Sequence, residues 1–176
     1  MQLTGKQITE ENIIIGYDPE KAVQQQGVDI RVKKIYKFRG AESGAILKDR
    51  TVLPTGIEEL PTGTYFKEGG KYTGWFLAPG YYEVQFMEGC SIAPNRVLHL
   101  KSRSSLVRCG AQICAGQFDA GFHTDSIGCF IDVKHPLLIE EGARICQAYV
   151  FDSETVENLY QGQWQADKQR GPEGKE

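Results

Sequence analysis

The sequence predicts an all-β domain, a distorted β-barrel or jelly-roll-like sandwich with little helix. Three observations carry this. Short apolar segments recur every roughly eight to twelve residues with turn signals between them. Alternation with a period of two is clear in Val28-Asp29-Ile30-Arg31-Val32 and again across Tyr82, Val84 and Phe86. Long stretches of helical periodicity are absent.

Taken in order, Thr9 is a candidate cap for a brief helix beginning near Glu10. Ile13-Ile14-Ile15 reads as a strand and Tyr17-Asp18-Pro19 as a turn. In Val28 to Val32 the alternation sets Asp29 and Arg31 on one face and the three aliphatic residues on the other. Ile35 to Phe38 is a separate strand candidate. Residues 39 to 73, rich in Gly, Thr, Glu and Lys, read as loops and short hairpin arms. Ala78-Pro79-Gly80 and Pro94-Asn95 are turns by composition. Strands are expected over Tyr81 to Met87, Val97 to Leu100, Ile127 to Val133, Leu137 to Ile139 and Ala143 to Phe151. A bend at Lys134-His135-Pro136 and a turn at Glu140-Glu141-Gly142 separate the last three. This divides the chain into a β domain over 1–151 and a polar, mobile tail over 152–176.

Composition excludes several classes. A net charge of −3 gives no electrostatic case for nucleic acid or an anionic membrane. No apolar run approaches the length of a membrane span, and the N-terminus lacks a signal-peptide pattern. Five cysteines without a CxxC pair, and three scattered histidines, argue against a disulfide framework or a protein-held metal site. A reduced, cytoplasmic protein is expected.

The chemistry concentrates between Lys101 and Asp125. Arg103 offers a planar fork, and Ser104 and Ser105 offer hydroxyls, the donor mix a triphosphate needs. Alone, the three would read as a polar turn. Cys114-Ala115-Gly116 presents small side chains that leave backbone N–H and C=O free to read a pyrimidine edge. Asp119, followed by Ala120 and Gly121, is placed to serve as general base to a water attacking a phosphoryl group.

Six stretches in order resemble the dUTPase / dCTP deaminase superfamily. They are Val23 to Arg31 (Q-x-x-S-x-D-L-R), Ala78 to Gly80 (P-G), Arg103 to Gly110 (R-S-S-L-A-R-x-G), Phe118 to Phe122 (I-D-A-G-[YFW]), Gly142 to Gln147 (G-x-R-I-x-Q) and Tyr160 to Gln165 (Y-x-G-K-Y-Q). The resemblance implies a β-clip fold and a homotrimer, with one chain's Arg103-Ser104-Ser105 facing another's base hairpin. It implies phosphate contacts for Arg103, Ser104, Ser105 and Gln147, base contacts for Ala115 and Gly116, and a deoxyribose under Phe122. It further implies Asp29 as support to Asp119, and Tyr160, Gln163 and Gln165 in a segment closing over the ligand. Plainer readings stand beside these: core packing for Phe122, and ordinary strand residues for Asp29 and Gln147.

Two chemistries compete within the superfamily. One hydrolyses dUTP to dUMP and pyrophosphate, with Mg2+ bound through the substrate phosphates. The other deaminates dCTP using a Ser and an Arg, matched by Ser104 and Arg108, with a Glu on the following strand. That Glu, counted without a gap, falls on Cys129, with only Asp132 nearby. Pyrophosphate hydrolysis is therefore favoured, with dCTP deamination as the alternative. Phe122-His123-Thr124-Asp125 replaces the Tyr-Arg-Gly-Glu of typical dUTPases, their C-terminal glycine-rich motif is missing, and Gln163 stands where the tail motif has Lys. A non-catalytic nucleotide-binding trimer also stays open.

Overall fold

The computed structural model describes residues 1–40, 43–162 and 165. In chain order the elements are α1 (Gly5–Glu10), β1 (Ile14–Ile15), β2 (Val28–Phe38), β3 (Ala45–Ile46), β4 (Thr51–Val52), β5 (Ile57–Glu59), β6 (Gly63–Lys67), β7 (Gly70–Leu77), β8 (Gly80–Phe86), β9 (Gly89–Ser91), β10 (Arg96–Ser102), α2 (Ser104–Arg108), β11 (Ala111–Cys114), β12 (His123–Thr124), β13 (Gly128–Val133), β14 (Leu137–Glu140) and β15 (Arg144–Asp152). The fold is all-β, as expected.

The main sheet runs β10-β15-β2-β8-β13-β11, with β5 added to β2. Every pairing in it is antiparallel. Its two ends approach each other: the Ile113 N–H on β11 donates to Ser102 Oγ at the end of β10, at 2.8 Å. The sheet is thus a nearly closed barrel, and the place where it almost closes lies next to Arg103. Alternation fills the interior. Val84 and Phe86 of β8, Leu98 and Leu100 of β10, Ile131 and Val133 of β13, and Cys146, Ala148 and Val150 of β15 are all buried. Each large side chain of this kind contributes about 1.5–3 kcal/mol through burial.

Three small sheets flank the barrel: β1-β9-β12, β14-β7-β6 and the β3-β4 hairpin. The hairpin arms expected over 39–73 are β3, β4, β6 and the start of β7, while β5 in the same stretch joins β2 of the main sheet. The buried Glu88 carboxylate accepts from both the Arg31 N–H (2.7 Å) and Arg31 Nε (2.6 Å), tying β2 to the segment before β9. All five cysteines are free. Among the described residues no helix is long and apolar enough to cross a membrane.

Two local expectations are corrected. The helix lies one turn earlier than Thr9 implied. Thr4 caps it in a reciprocal box, its Oγ1 accepting from Gln7 N–H while Gln7 Oε1 accepts from Thr4 N–H. Thr9 instead turns its hydroxyl back onto the carbonyls of Gly5 and Lys6. Thr4→Ala is expected to lower stability by about 1 kcal/mol, a fall of about 2–4 °C in Tm by thermal unfolding. The second correction concerns Val28–Val32 and Ile35–Phe38, which form one strand. A register shift between Val32 and Lys34 breaks the period and makes the strand read as two.

Candidate active site

Asp29 and Gln147 sit opposite each other in the β2–β15 register. A Cβ on Gly27 would fall 2.9 Å from Gln147 Cγ and 2.6 Å from the Ala148 carbonyl, so only glycine lets the two strands meet here. Gln147 Nε2 donates to Asp29 Oδ1 at 3.1 Å. Asp29 Oδ2 receives Arg103 Nε at 3.2 Å and Arg144 Nη1 at 3.3 Å. Arg103 Nη1 also donates to the Arg144 carbonyl, at 2.9 Å. A bulge between Arg144 and Cys146 re-aims Arg144 onto the face of Asp29 and Gln147, where unbroken alternation would have put Ile145.

Asp29, Gln147 and Arg103 line an open cleft of about 390 Å3 together with Gln24, Ser102, Ser104 and Tyr149, while Arg144 pairs with Asp29 from outside that lining. Asp29 is 1% exposed. Burial pushes its carboxyl above the ordinary range, while Arg103, then Arg144, then the Gln147 amide pull it back without cancelling the shift. Two guanidiniums around one carboxylate leave an excess of positive charge at Asp29, and Arg103, which lines the cleft, is fit for an anion. Lys101 lies over the Tyr149 ring, 5.8 Å from its centroid.

A second hollow of about 210 Å3 adjoins β10, lined by His99, Leu100, Lys101, Ala115, Gly116 and Gln117. Cys114 ends β11, so Ala115 and Gly116 lie in the loop beyond that strand. A Cβ on Gly116 would meet open space. Asp119 is exposed, and its Oδ1 accepts from Gln117 Nε2 at 2.8 Å. Phe122 is 6% exposed, packed edge-on between Phe118 (5.4 Å) and Tyr160 (5.3 Å).

The C-terminal segment folds back onto this stretch. The Tyr160 N–H donates to the Ala120 carbonyl at 2.9 Å. Gln165 Nε2 donates to the Gly121 carbonyl, and its Oε1 accepts from the His123 N–H, both at 2.9 Å. Gly121 has φ +83°, and a Cβ there would come 2.6 Å from Leu159 Cβ. Gly121→Ala is therefore expected to be destabilising by about 1–2 kcal/mol and to loosen the docked segment. Faster hydrogen exchange at the Tyr160 amide would report it.

Within one chain the expected site residues thus fall into groups. Asp29, Arg103, Ser104 and Gln147 share the first cleft. Ala115 and Gly116 line the second, and Asp119 reaches it through Gln117. Phe122, Tyr160 and Gln165 pack beside Asp119 along the chain. Ser105 and Arg108 are exposed on α2 and line neither hollow. Gln163 lies outside the described residues. Among the described residues no hydrogen bond or ion pair joins Asp119 to Asp29, Arg103 or Ser104. Gln24 and Tyr149 in the first cleft, His99 and Gln117 in the second, and Arg144 against Asp29 join the expected residues without a role assigned from sequence. For Arg144 the signal was present, a cation two residues from the interior Cys146, but the bulge that turns it outward was not legible.

Residues 2–153 match the dCTP deaminase-like family. The chain belongs to that family. Relatives of this dCTP deaminase-like protein include the probable deoxyuridine 5'-triphosphate nucleotidohydrolase of Methanosarcina mazei, 32% identical over 84% of this chain and 83% of the relative. The protein of the same description from Halobacterium salinarum is 30% identical over 83% of this chain and 84% of its own length. The deoxyuridine 5'-triphosphate nucleotidohydrolase of Methanocaldococcus jannaschii is 29% identical over 81% and 86%. The crystal structure of 2'-deoxycytidine 5'-triphosphate deaminase from Agrobacterium tumefaciens superposes with a TM-score of 0.57 at 18% identity, over 85% of this chain. The dCTP deaminase-like chain spans about half the length of that enzyme, 47%, and the likeness shows the shared fold.

Proposed function

We propose that this protein is a deoxynucleoside triphosphate pyrophosphatase that hydrolyses dUTP to dUMP and pyrophosphate. The observation that carries the choice between the family's two chemistries is Cys129. It stands on β13 where the deaminase acid is expected, is buried, and its thiol is pushed up by burial. A thiol held protonated in an apolar interior does not shuttle the proton that deamination requires. The nearby Asp132 turns to the other face and pairs with Lys134 at 2.8 Å. The names of the archaeal relatives point the same way.

In this reading Asp119 is the base that activates the attacking water, and Arg103, Ser104, Ser105 and Gln147 take the phosphates. Ala115 and Gly116 read the base edge, Phe122 stands under the sugar, and Asp29 holds Arg103 in place. Arg108 and the Tyr160–Gln165 segment border the ligand. A homotrimer would bring one chain's Arg103 cleft to another's Asp119 stretch, which a single chain keeps unconnected. Among the described residues no three His, Cys, Asp or Glu side chains group as metal ligands, and Asp29 is already engaged by two guanidiniums and an amide. Mg2+ would therefore be held mainly by the substrate's phosphates, gathering their charge. Five free thiols suit a reduced, cytoplasmic setting.

The test is incubation with dUTP, dCTP, dTTP and UTP, each with Mg2+ and with EDTA, and separation of the products. dUMP and pyrophosphate from dUTP support the reading. Conversion of dCTP to dUTP would establish deamination instead, and thermal stabilisation by nucleotide without turnover would establish a binding protein. Light scattering on the purified protein reads the trimer.

A further inference from the structure

The strand β10 and the segment 115–119 are joined by one antiparallel bridge. The Leu98 N–H donates to the Phe118 carbonyl at 3.1 Å and the Phe118 N–H to the Leu98 carbonyl at 3.0 Å. Leu98 is fully buried and Phe118 packs against the core, so the residues flanking the bridge turn outward on a common face. His99 is thereby set against Gln117, and Gln117 shares its side of the segment with Asp119, two residues on. The contacts follow that register. His99 Nε2 lies 3.1 Å from Gln117 Oε1, and Gln117 Nε2 lies 2.8 Å from Asp119 Oδ1.

The chemistry of this row fixes its protons. An ionised carboxylate only accepts, so the Gln117 amide must turn its NH2 to Asp119 and its carbonyl to His99. His99 must then carry its proton on Nε2. The imidazole is itself braced by the Phe151 ring, 5.3 Å away and tilted by 55°. One Asp119 oxygen, Oδ1, is occupied in this way, by a Gln117 that itself lines the hollow with Ala115 and Gly116.

We infer that Gln117 is a positioning residue for Asp119, and that His99, as its Nε2–H tautomer, fixes the Gln117 amide in the orientation this requires. The inference rests on Asp119 acting as the base in dUTP hydrolysis. Gln117 holds the carboxylate at one rotamer and leaves binding of the nucleotide to other groups. Its loss is therefore felt in kcat and not in KM.

Steady-state kinetics on dUTP with Gln117→Leu is expected to show kcat lowered about 10- to 100-fold, as for a misplaced catalytic group, with KM changed less than about 2-fold. His99→Phe, which keeps a ring but no donor, should lower kcat in the same sense. His99→Gln, which can still donate, should recover most of that loss. Independently of turnover, 15N NMR at a pH where the ring is neutral should find His99 protonated on Nε2. Wild-type kcat in Gln117→Leu, or a loss confined to KM, overturns the inference, as does an Nδ1–H tautomer in the native protein. Asp119→Asn separates the two claims. If it is inactive while Gln117→Leu is fully active, only the positioning role falls. If Asp119→Asn retains full hydrolysis, the base assignment falls first.

Discussion

Asp119→Asn is expected to bind dUTP nearly as the native protein does and to hydrolyse it about 10²- to 10⁴-fold more slowly, the range lost with a general base. The substitution changes one atom's chemistry and little of the shape. An asparagine oxygen can still accept from Gln117 Nε2, so the hydrogen bond that orients this position is kept. Asp119 is exposed and contributes no core packing, which removes unfolding as a trivial explanation. What the amide cannot do is take a proton from water. Pyrophosphate release read beside equilibrium binding of dUTP checks both halves. Undiminished hydrolysis would remove Asp119 from the mechanism.

Arg103→Gln is expected to weaken dUTP binding by about 10- to 150-fold, the equivalent of one charge-assisted hydrogen bond, and to lower stability as well. Arg103 joins three things at once: the Asp29 carboxylate, the Arg144 carbonyl and the open cleft. Its side chain keeps 33% of its surface exposed, so the stability loss is set at about 1–2 kcal/mol, below that of a fully buried pair. The pH dependence has a definite sign. Burial holds Asp29 above its ordinary range, and Arg103 is the largest influence opposing that shift. Asp29 thus favours the folded state most below its unfolded value of about 3.9 and loses this as pH rises through the folded value. Without Arg103 the folded value moves further up. The variant's deficit should be greatest near neutrality and shrink as pH falls toward about 4, which thermal unfolding at several pH values would record.

What the sequence made legible was what depends on local period. The alternation over Tyr82, Val84 and Phe86 becomes the buried side of β8, and the pairing of Pro94 with Asn95 does mark the turn before β10. The residues of the first cleft were also within reach: Asp29, Arg103, Ser104 and Gln147 stand in ordered motifs and do converge. Features created by a break in period were not. The shift at Val32–Lys34 divides one strand into two on paper, and the one beside Arg144 hides a cation that pairs with Asp29. Contacts set by long-range register were equally hidden. His99 and Gln117 are 18 residues apart and meet only because Leu98 pairs with Phe118. The helix cap was misplaced for a different reason. Thr4 and Gln7 carry a good capping box, but in a helix of six residues there is little periodicity to point to it.

The docking of Gln165 has a consequence for which substitutions the protein can tolerate. Both of its amide contacts end on main-chain atoms, the Gly121 carbonyl and the His123 N–H. Such an attachment recognises the route of the polypeptide and is blind to what hangs from it. Position 123 can thus carry any residue that keeps its main-chain N–H, every one but proline, without releasing Gln165. Position 121 has no such latitude, because any side chain there would both strain the left-handed turn and strike Leu159.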